Sequence, residues 1–177
     1  MNRIECITQS DCMELSLYRV KTFLADLKKE YPMHDVWYQG VMEEIKKNSS
    51  REILILRAEQ ELAGIAILKS TEKERKICTL RVHKDFQNQG VGRALIKKSM
   101  EFLETDKPHI TISQNKQDEF KKILLYFGFN LDEIYRDKYK EGVCEYSYNG
   151  ILLPESILRN EKIKMNFKQK SGDIKSA

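Results

Sequence analysis

Residues Lys76–Glu101 read KICTLRVHKDFQNQGVGRALIKKSME, and this stretch decides the fold because strand, glycine-bearing turn and helix follow one another without a break. Ile77, Cys78, Leu80 and Val82 form a strand-like apolar segment. From Arg93 to Glu101 the residues are good helix formers, with Ile96, Met100 and Leu103 on one face. Gln87, Gly90 and Gly92 occupy the join. The first turn of a helix leaves backbone N–H groups without intrahelical acceptors and carries the positive end of the macrodipole, so such a join attracts phosphate. Glycines there leave room for its approach.

The spacing excludes two other phosphate loops. A dinucleotide-binding turn needs G-x-G-x-x-G and a Walker A loop needs G-x-x-x-x-G-K-[ST], whereas here Gln87-x-x-Gly90-x-Gly92 runs into Arg93-Ala94-Leu95. This segment resembles the acetyl-CoA-binding motif of the GNAT acetyltransferase superfamily, [RQ]-x-x-G-x-[GA], with Leu80-Arg81-Val82 as the L-x-V strand before it. A second similar feature is a strand from His109 to Ser113, followed by a helix ending in Tyr126-Phe127-Gly128-Phe129. The resemblance implies an α+β fold in three layers: a mixed, mostly antiparallel sheet of six to seven strands, with helices on both faces. It also implies a split beside the L-x-V strand for the pantetheine arm of acetyl-CoA. Main-chain groups near Leu80, Val82 and Lys84 would pair with that arm, and amides of Gln87, Asn88, Gln89, Gly90, Val91, Gly92, Arg93 and Ala94 would hold the pyrophosphate.

Working outward, the apolar pattern predicts a strand at Arg3–Thr8 and a helix capped by Ser10 or Asp11 with Val20, Phe23, Leu24 and Leu27 on its buried face. Tyr31-Pro32 interrupts it, and a second helix follows from about Asp35 to Lys47. Arg51–Arg57 and Leu62–Lys69 read as a strand hairpin, in which Gly64 marks a bulge or a close backbone approach. Ile134–Lys140 and Val143–Tyr148 read as a second hairpin about Glu141-Gly142. The resulting order, β-α-α-β-β-β-α-β-α-β-β, is the one a GNAT fold would give.

At 177 residues the chain is about one domain. We divide it into an acetyl-CoA-binding domain over residues 1–150 and a basic tail over 151–177, partly helical or disordered. That tail holds six Lys/Arg against three acids, most of the net charge of +4. A basic excess confined to a stretch of low aromatic content argues against a nucleic-acid-binding face. No cysteines stand at C-x-x-C spacing, the three histidines are scattered, and no run approaches a transmembrane length. These features lead us to expect a cytoplasmic protein, monomer or homodimer, without a metal and without a membrane partner.

The catalytic residues are harder to read. Many GNAT members carry a tyrosine four residues before the glycine of the G-F pair, where it protonates the departing CoA; here that position is Leu124. Phe120, Ile123, Leu124 and Phe127 form one apolar stripe, and Tyr126 lies about 100° off it. Tyr126 is nevertheless the sequence's choice for the acid. The family's common base position is also bare, since the stretch is Lys76-Ile77-Cys78-Thr79. Glu59, Glu61, Glu141 and Glu145 are alternative bases, and Tyr135, Tyr139, Tyr146 and Tyr148 are further proton carriers. In the loop between the first two helices, Tyr31 and His34 are the candidate acceptor contacts, with Trp37 read as a helix anchor and His83 as a surface residue at a strand end.

The sequence therefore points to an acetyl-CoA-dependent N-acetyltransferase acting on an amine of a small molecule or protein. Two alternatives stay open at this level: a non-catalytic acyl-CoA-binding regulatory module, and an acetyltransferase for tRNA-linked substrates drawn by the basic tail.

Overall fold

The computed structural model describes residues 3–7, 14–47, 50–58 and 61–154. Its elements, in chain order, are β1 (Arg3–Ile7), α1 (Glu14–Phe23), a short 3-10 segment (Ala25–Lys29), α2 (His34–Lys47), β2 (Arg51–Ala58), β3 (Glu61–Ser70) and β4 (Arg75–Val82). Then come α3 (Val91–Leu103), β5 (His109–Ser113), α4 (Gln117–Tyr126), β6 (Leu131–Arg136) and β7 (Cys144–Tyr148). The seven strands form one sheet in the order β1-β2-β3-β4-β5-β7-β6. Every neighbouring pair is antiparallel except β4 and β5. Element order and mixed sheet are those expected from the sequence. The residues expected to cap the first helix, Ser10 and Asp11, lie outside the described residues, as do residues 155–177 of the tail.

Strand alternation sends side chains to two cores. Ile53, Ile55, Ile65 and Ile67 pack under α1 and α2 with Val20, Leu24, Val41 and Ile45. Leu54, Leu56, Ala66, Leu68, Ile77, Ile110 and Ile112 pack under α3 and α4 with Leu95, Ile96, Leu103 and Leu124. Because β2 and β3 bury both faces, they read as continuous apolar runs. Each fully buried Leu or Ile contributes about 1.5–3 kcal/mol relative to exposure. Among the described residues no helix is long and apolar enough to cross a membrane.

The last hairpin differs from the sequence expectation at its turn. Its first strand closes at Arg136 rather than running to Lys140, because Asp137 takes φ +54° and its carboxylate accepts the Gly142 N–H at 2.6 Å. The Asp137 N–H donates to Val143 O at 3.2 Å. A longer loop results, and it frees Tyr139 from the strand. Past β7 the chain still packs: Leu152 is buried and its N–H donates to the Tyr135 hydroxyl at 2.9 Å. Folded structure thus extends beyond residue 150.

Gly64 is where α3 comes down on the sheet. A Cβ there would stand 2.9 Å from Leu95 Cδ1 and from Val91 Cγ1, and 3.0 Å from Arg81 O. The β2–β3 ladder also shifts register beside it, since Leu56 pairs with Gly64 while Arg57 pairs with Leu62. Both readings of this glycine hold. Gly64→Ala should cost about 1–3 kcal/mol by overpacking, seen as a lower urea midpoint at unchanged m-value. An unaltered midpoint would show that α3 yields without strain.

Candidate functional site

Parallel pairing between β4 and β5 lasts only two residues, Lys76 with His109 and Ile77 with Ile110. Beyond Ile77 the strands separate and leave a cleft of about 310 Å³ lined by Cys78, Leu80, Val82, Thr111 and Ile112 from its two walls. The His83 N–H donates to Ala63 O on β3 at 2.8 Å. Backbone groups alternate along a strand, so those of Arg81 also face β3, and those of Leu80 and Val82 face the cleft. Unpaired strand edges inside a cleft are sites for an added strand-like ligand. A bulge adds to this, because Ile67 pairs with Thr79 and Leu68 with Ile77, leaving Cys78 as the extra residue.

One end of the cleft is lined by Lys84 and Gln87, in the turn that leads into α3. Gly90 is the N-cap of α3 with φ +86°, a left-handed conformation that glycine adopts at no steric cost, and Asn88 two residues before it has φ +60°. Leu80, Val82, Lys84 and Gln87, four of the residues expected at the cofactor, line the cleft. Asn88, Gln89 and Arg93 are exposed, whereas the Val91 side chain is buried in the core. Gly92 lets α3 start close to α4, since a Cβ would meet Ile123 Cδ1 at 3.2 Å. The Ala94 N–H already donates to Gly90 O at 2.9 Å. The amides without an intrahelical acceptor are therefore those of Val91, Gly92 and Arg93, and Ala94 leaves the expected set. Lys116 and Glu119 line the opposite wall, joined at 2.9 Å.

The other end lies under the segment between α1 and α2. Tyr31, His34 and Trp37 line it, as does Tyr139 from the displaced β6–β7 loop. The Tyr31 and Tyr139 rings meet edge to face at 5.4 Å. Tyr31 donates its hydroxyl to Glu145 Oε1 at 3.2 Å. The segment is tied down by Lys140 Nζ, which donates to Lys29 O at 2.7 Å, and by Asn115, which donates to the Glu30 carboxylate at 2.8 Å. His34 is buried at 6% exposure with no hydrogen-bond partner at either ring nitrogen. Burial lowers its pKa, so the ring is neutral at neutral pH.

Two buried glutamates differ in state. Burial pushes Glu145 up to about 7 against the opposing hydrogen bonds from Thr111 and Tyr31. Burial also acts on Glu74, but His109 and Lys69 outweigh it and hold the carboxyl down at about 2. Lys69 Nζ sits 2.7 Å from Glu74 Oε2, and His109 Nδ1 sits 3.5 Å from Oε1. Arg51, also on the cleft wall, reaches Glu44 at 2.6 Å and Cys78 Sγ at 3.1 Å. Arg51, Lys69 and Lys76 on strands and Glu74 in the β3–β4 turn carry no sequence motif; for the three on strands the cue is a polar residue close to an apolar run.

Tyr126, the acid expected from the sequence, stands apart. It is 66% exposed, lies outside the cleft lining, and packs edge to face on Phe127 with Arg93 over its ring at 5.4 Å. The reason is helical phase. Leu124 is buried, and a residue two positions on points nearly the opposite way. Of the candidate bases, Glu61 and Glu141 are exposed and Glu59 lies outside the described residues; among the described ones Glu145 stands behind Tyr31, outside the cleft lining but hydrogen-bonded to it. Tyr135 and Tyr148 are occupied elsewhere, the latter donating to Gln117 Oε1 at 2.6 Å.

A carboxyl whose folded pKa is raised stabilises the fold while protonated and loses that contribution as pH climbs from its ordinary 4.5 through about 7. The loss is on the order of 3 kcal/mol for a shift of this size. Glu145→Gln should therefore gain in melting temperature relative to the parent between about pH 5 and pH 8. A difference that stays flat over that window would mean that Glu145 is not held protonated by burial.

A family model described as an acetyltransferase (GNAT) domain matches residues 20–149. No curated protein sequence matches the chain. Among solved structures, a GNAT-family protein from Desulfovibrio desulfuricans is similar at TM-score 0.66 and 14% identity, covering 84% of this chain and 97% of its own. The ribosomal-protein-S18-alanine N-acetyltransferase of Escherichia coli gives 0.63 at 18% identity, over 87% and 97%. A Bacillus subtilis acetyltransferase in complex with CoA gives 0.58 at 18%, over 86% and 100%. At these identities the likeness is one of fold.

Proposed function

Since the chain belongs to the GNAT acetyltransferase family, and is thereby an acetyl-CoA-dependent acyltransferase, we propose that it acetylates an amine of a small molecule or protein in the cleft between β4 and β5, with Glu145 as the base. The observation that carries this reading is the cleft itself. It runs from Gln87, just ahead of α3, past the unpaired edge at Leu80 and Val82, to Tyr31, whose hydroxyl donates to a buried carboxyl with a pKa near neutrality.

The residues fit the cofactor. The cleft-facing groups of Leu80 and Val82 match the amides of a pantetheine arm, and the Val91, Gly92 and Arg93 amides match a pyrophosphate, with Lys84 alongside. Acetyl-CoA supplies the acyl group as a thioester. The chain supplies orientation and proton removal, and orientation alone is worth several kcal/mol of a transfer barrier. An acceptor amine is protonated in water and must lose a proton to become a nucleophile. Tyr31 faces the cleft and already donates to Glu145, so its oxygen can take the amine's proton as its own passes to the carboxylate. Burial and the Glu145 charge both raise the Tyr31 pKa, which keeps the phenol neutral for that exchange. His34 lines the same side with a neutral ring.

Thiol release from acetyl-CoA over a panel of amines tests the reading. Glu145→Gln should lower kcat by about 10²–10⁴, with CoA affinity retained. The parent's kcat/KM should rise with pH through about 7 as Glu145 ionises. Turnover undiminished in Glu145→Gln would remove this residue as the base. Separately, Gly90→Glu should weaken CoA more than tenfold in calorimetric titration of the folded variant, through charge at the phosphate and a strained φ. Parent-like binding would place the phosphates elsewhere.

A further inference from the structure

The floor of the acceptor end holds a cation that the fold leaves without a hydrogen-bonded acceptor. Lys76 is buried at 8% exposure, yet it lines the cleft. The nearest carboxylate oxygen in an ion pair with it is Glu74 Oε1, 4.0 Å from its Nζ, beyond hydrogen-bond reach. Of that carboxylate only Oε2 is committed, to Lys69 at 2.7 Å; Oε1 lies between Lys76 and His109 Nδ1, 3.5 Å from the latter, and is hydrogen-bonded to neither. Arg51 is likewise taken by Glu44. Among the cations of this end, Lys76 is the one with spare capacity.

Strand register fixes what surrounds it. Lys76 lies opposite Lys69 on β3 and beside His109 on β5, so its side chain shares a sheet face with Thr111, Ser113 and, across β5, Glu145. His109 and Ser113, which pairs with Glu145, are four residues apart, about 13 Å along the strand. A lysine stem reaching up from one end and a small acceptor can fill that span. Burial lowers the Lys76 pKa, with the nearby Glu74 and Glu145 carboxylates acting against it. A buried charge is costly without a counter-charge, and an apolar residue would pack the same floor without that cost.

We propose that the acceptor is an amine bearing a carboxylate, an amino-acid-like zwitterion, whose carboxylate is held by Lys76 while its amine faces Tyr31 and Glu145. This rests on the reading of the cleft as an amine-acetylating site. Polycationic acceptors are disfavoured, because Arg51, Lys69 and Lys76 already balance Glu44, Glu74 and the ionised Glu145, and a zwitterion keeps that balance.

Binding of products tests this without requiring turnover. N-acetylamino acids and their carboxamides would be titrated calorimetrically into CoA-loaded protein, as a panel that varies the side chain. The acids should bind at least tenfold more tightly than the matching amides. That advantage should vanish in Lys76→Met and persist in Lys76→Arg, and Lys76→Met should melt no lower than the parent. Equal binding of acids and amides, or an acid preference that survives in Lys76→Met, overturns the proposal. So does an acetyl group found by mass spectrometry on Lys76 itself after incubation with acetyl-CoA, which would make this lysine an acceptor. In a parallel turnover assay, acetylation of carboxylate-free amines alone would sink this inference while leaving the acetyltransferase reading standing.

Discussion

Everything in this fold turns on how briefly β4 and β5 stay together. Two paired residues, Lys76 with His109 and Ile77 with Ile110, join the halves of the sheet. On one side β4 is held by a long ladder to β3, and α3 rests on that ladder at Gly64. On the other side β5 is held by β7. With each strand secured by its outer neighbour, the inner edges are left apart, and the backbone groups of Leu80 and Val82 have no strand to face. Exposed edges ordinarily invite aggregation. Here the edge lies within a cleft walled by α4 and the α1–α2 segment, where a narrow ligand can reach it and another sheet cannot.

The same face of the sheet shows how neighbours, and not burial alone, set the charge of a carboxyl. Glu74 and Glu145 are both buried. Glu74 has Lys69 and His109 against it and is held ionised at about 2, whereas Glu145 is met by the hydroxyls of Thr111 and Tyr31 and rises to about 7. Hydroxyls solvate a carboxylate without neutralising it, so the desolvation cost stays visible as a raised pKa. A structural ion pair and a group able to exchange protons near neutral pH are thereby separated on one surface.

The order of elements was legible because it is written in local patterns: apolar runs for β2 and β3, a periodic stripe for α3, and glycines where the backbone turns or approaches closely. The phosphate end was legible for the same reason, since Gln87, Gly90 and Gly92 are contiguous with the helix they precede. The acceptor end is legible only in part: the loop between the first two helices points to Tyr31 and His34, whereas Glu145 and Tyr139 stand among several equal candidates and nothing singles out Lys76. Glu145, Tyr31, Lys76 and Tyr139 come from four separate segments. Tyr139 was read as a strand residue, yet the Asp137 turn moves it into the cleft. Tyr126 was chosen by proximity in sequence to the family position, but two residues along a helix carry a side chain to the far face. Tertiary convergence of this kind leaves no periodicity to read.

The central claim is that the split beside β4 receives CoA as an added strand. Hydrogen exchange resolved to single amides tests it most directly. The amides of Leu80 and Val82 should exchange quickly in the free protein and become strongly protected when CoA binds, together with those of Val91, Gly92 and Arg93, while Arg81, already turned toward β3, changes little. Saturating CoA that leaves Leu80 and Val82 unprotected would contradict the account.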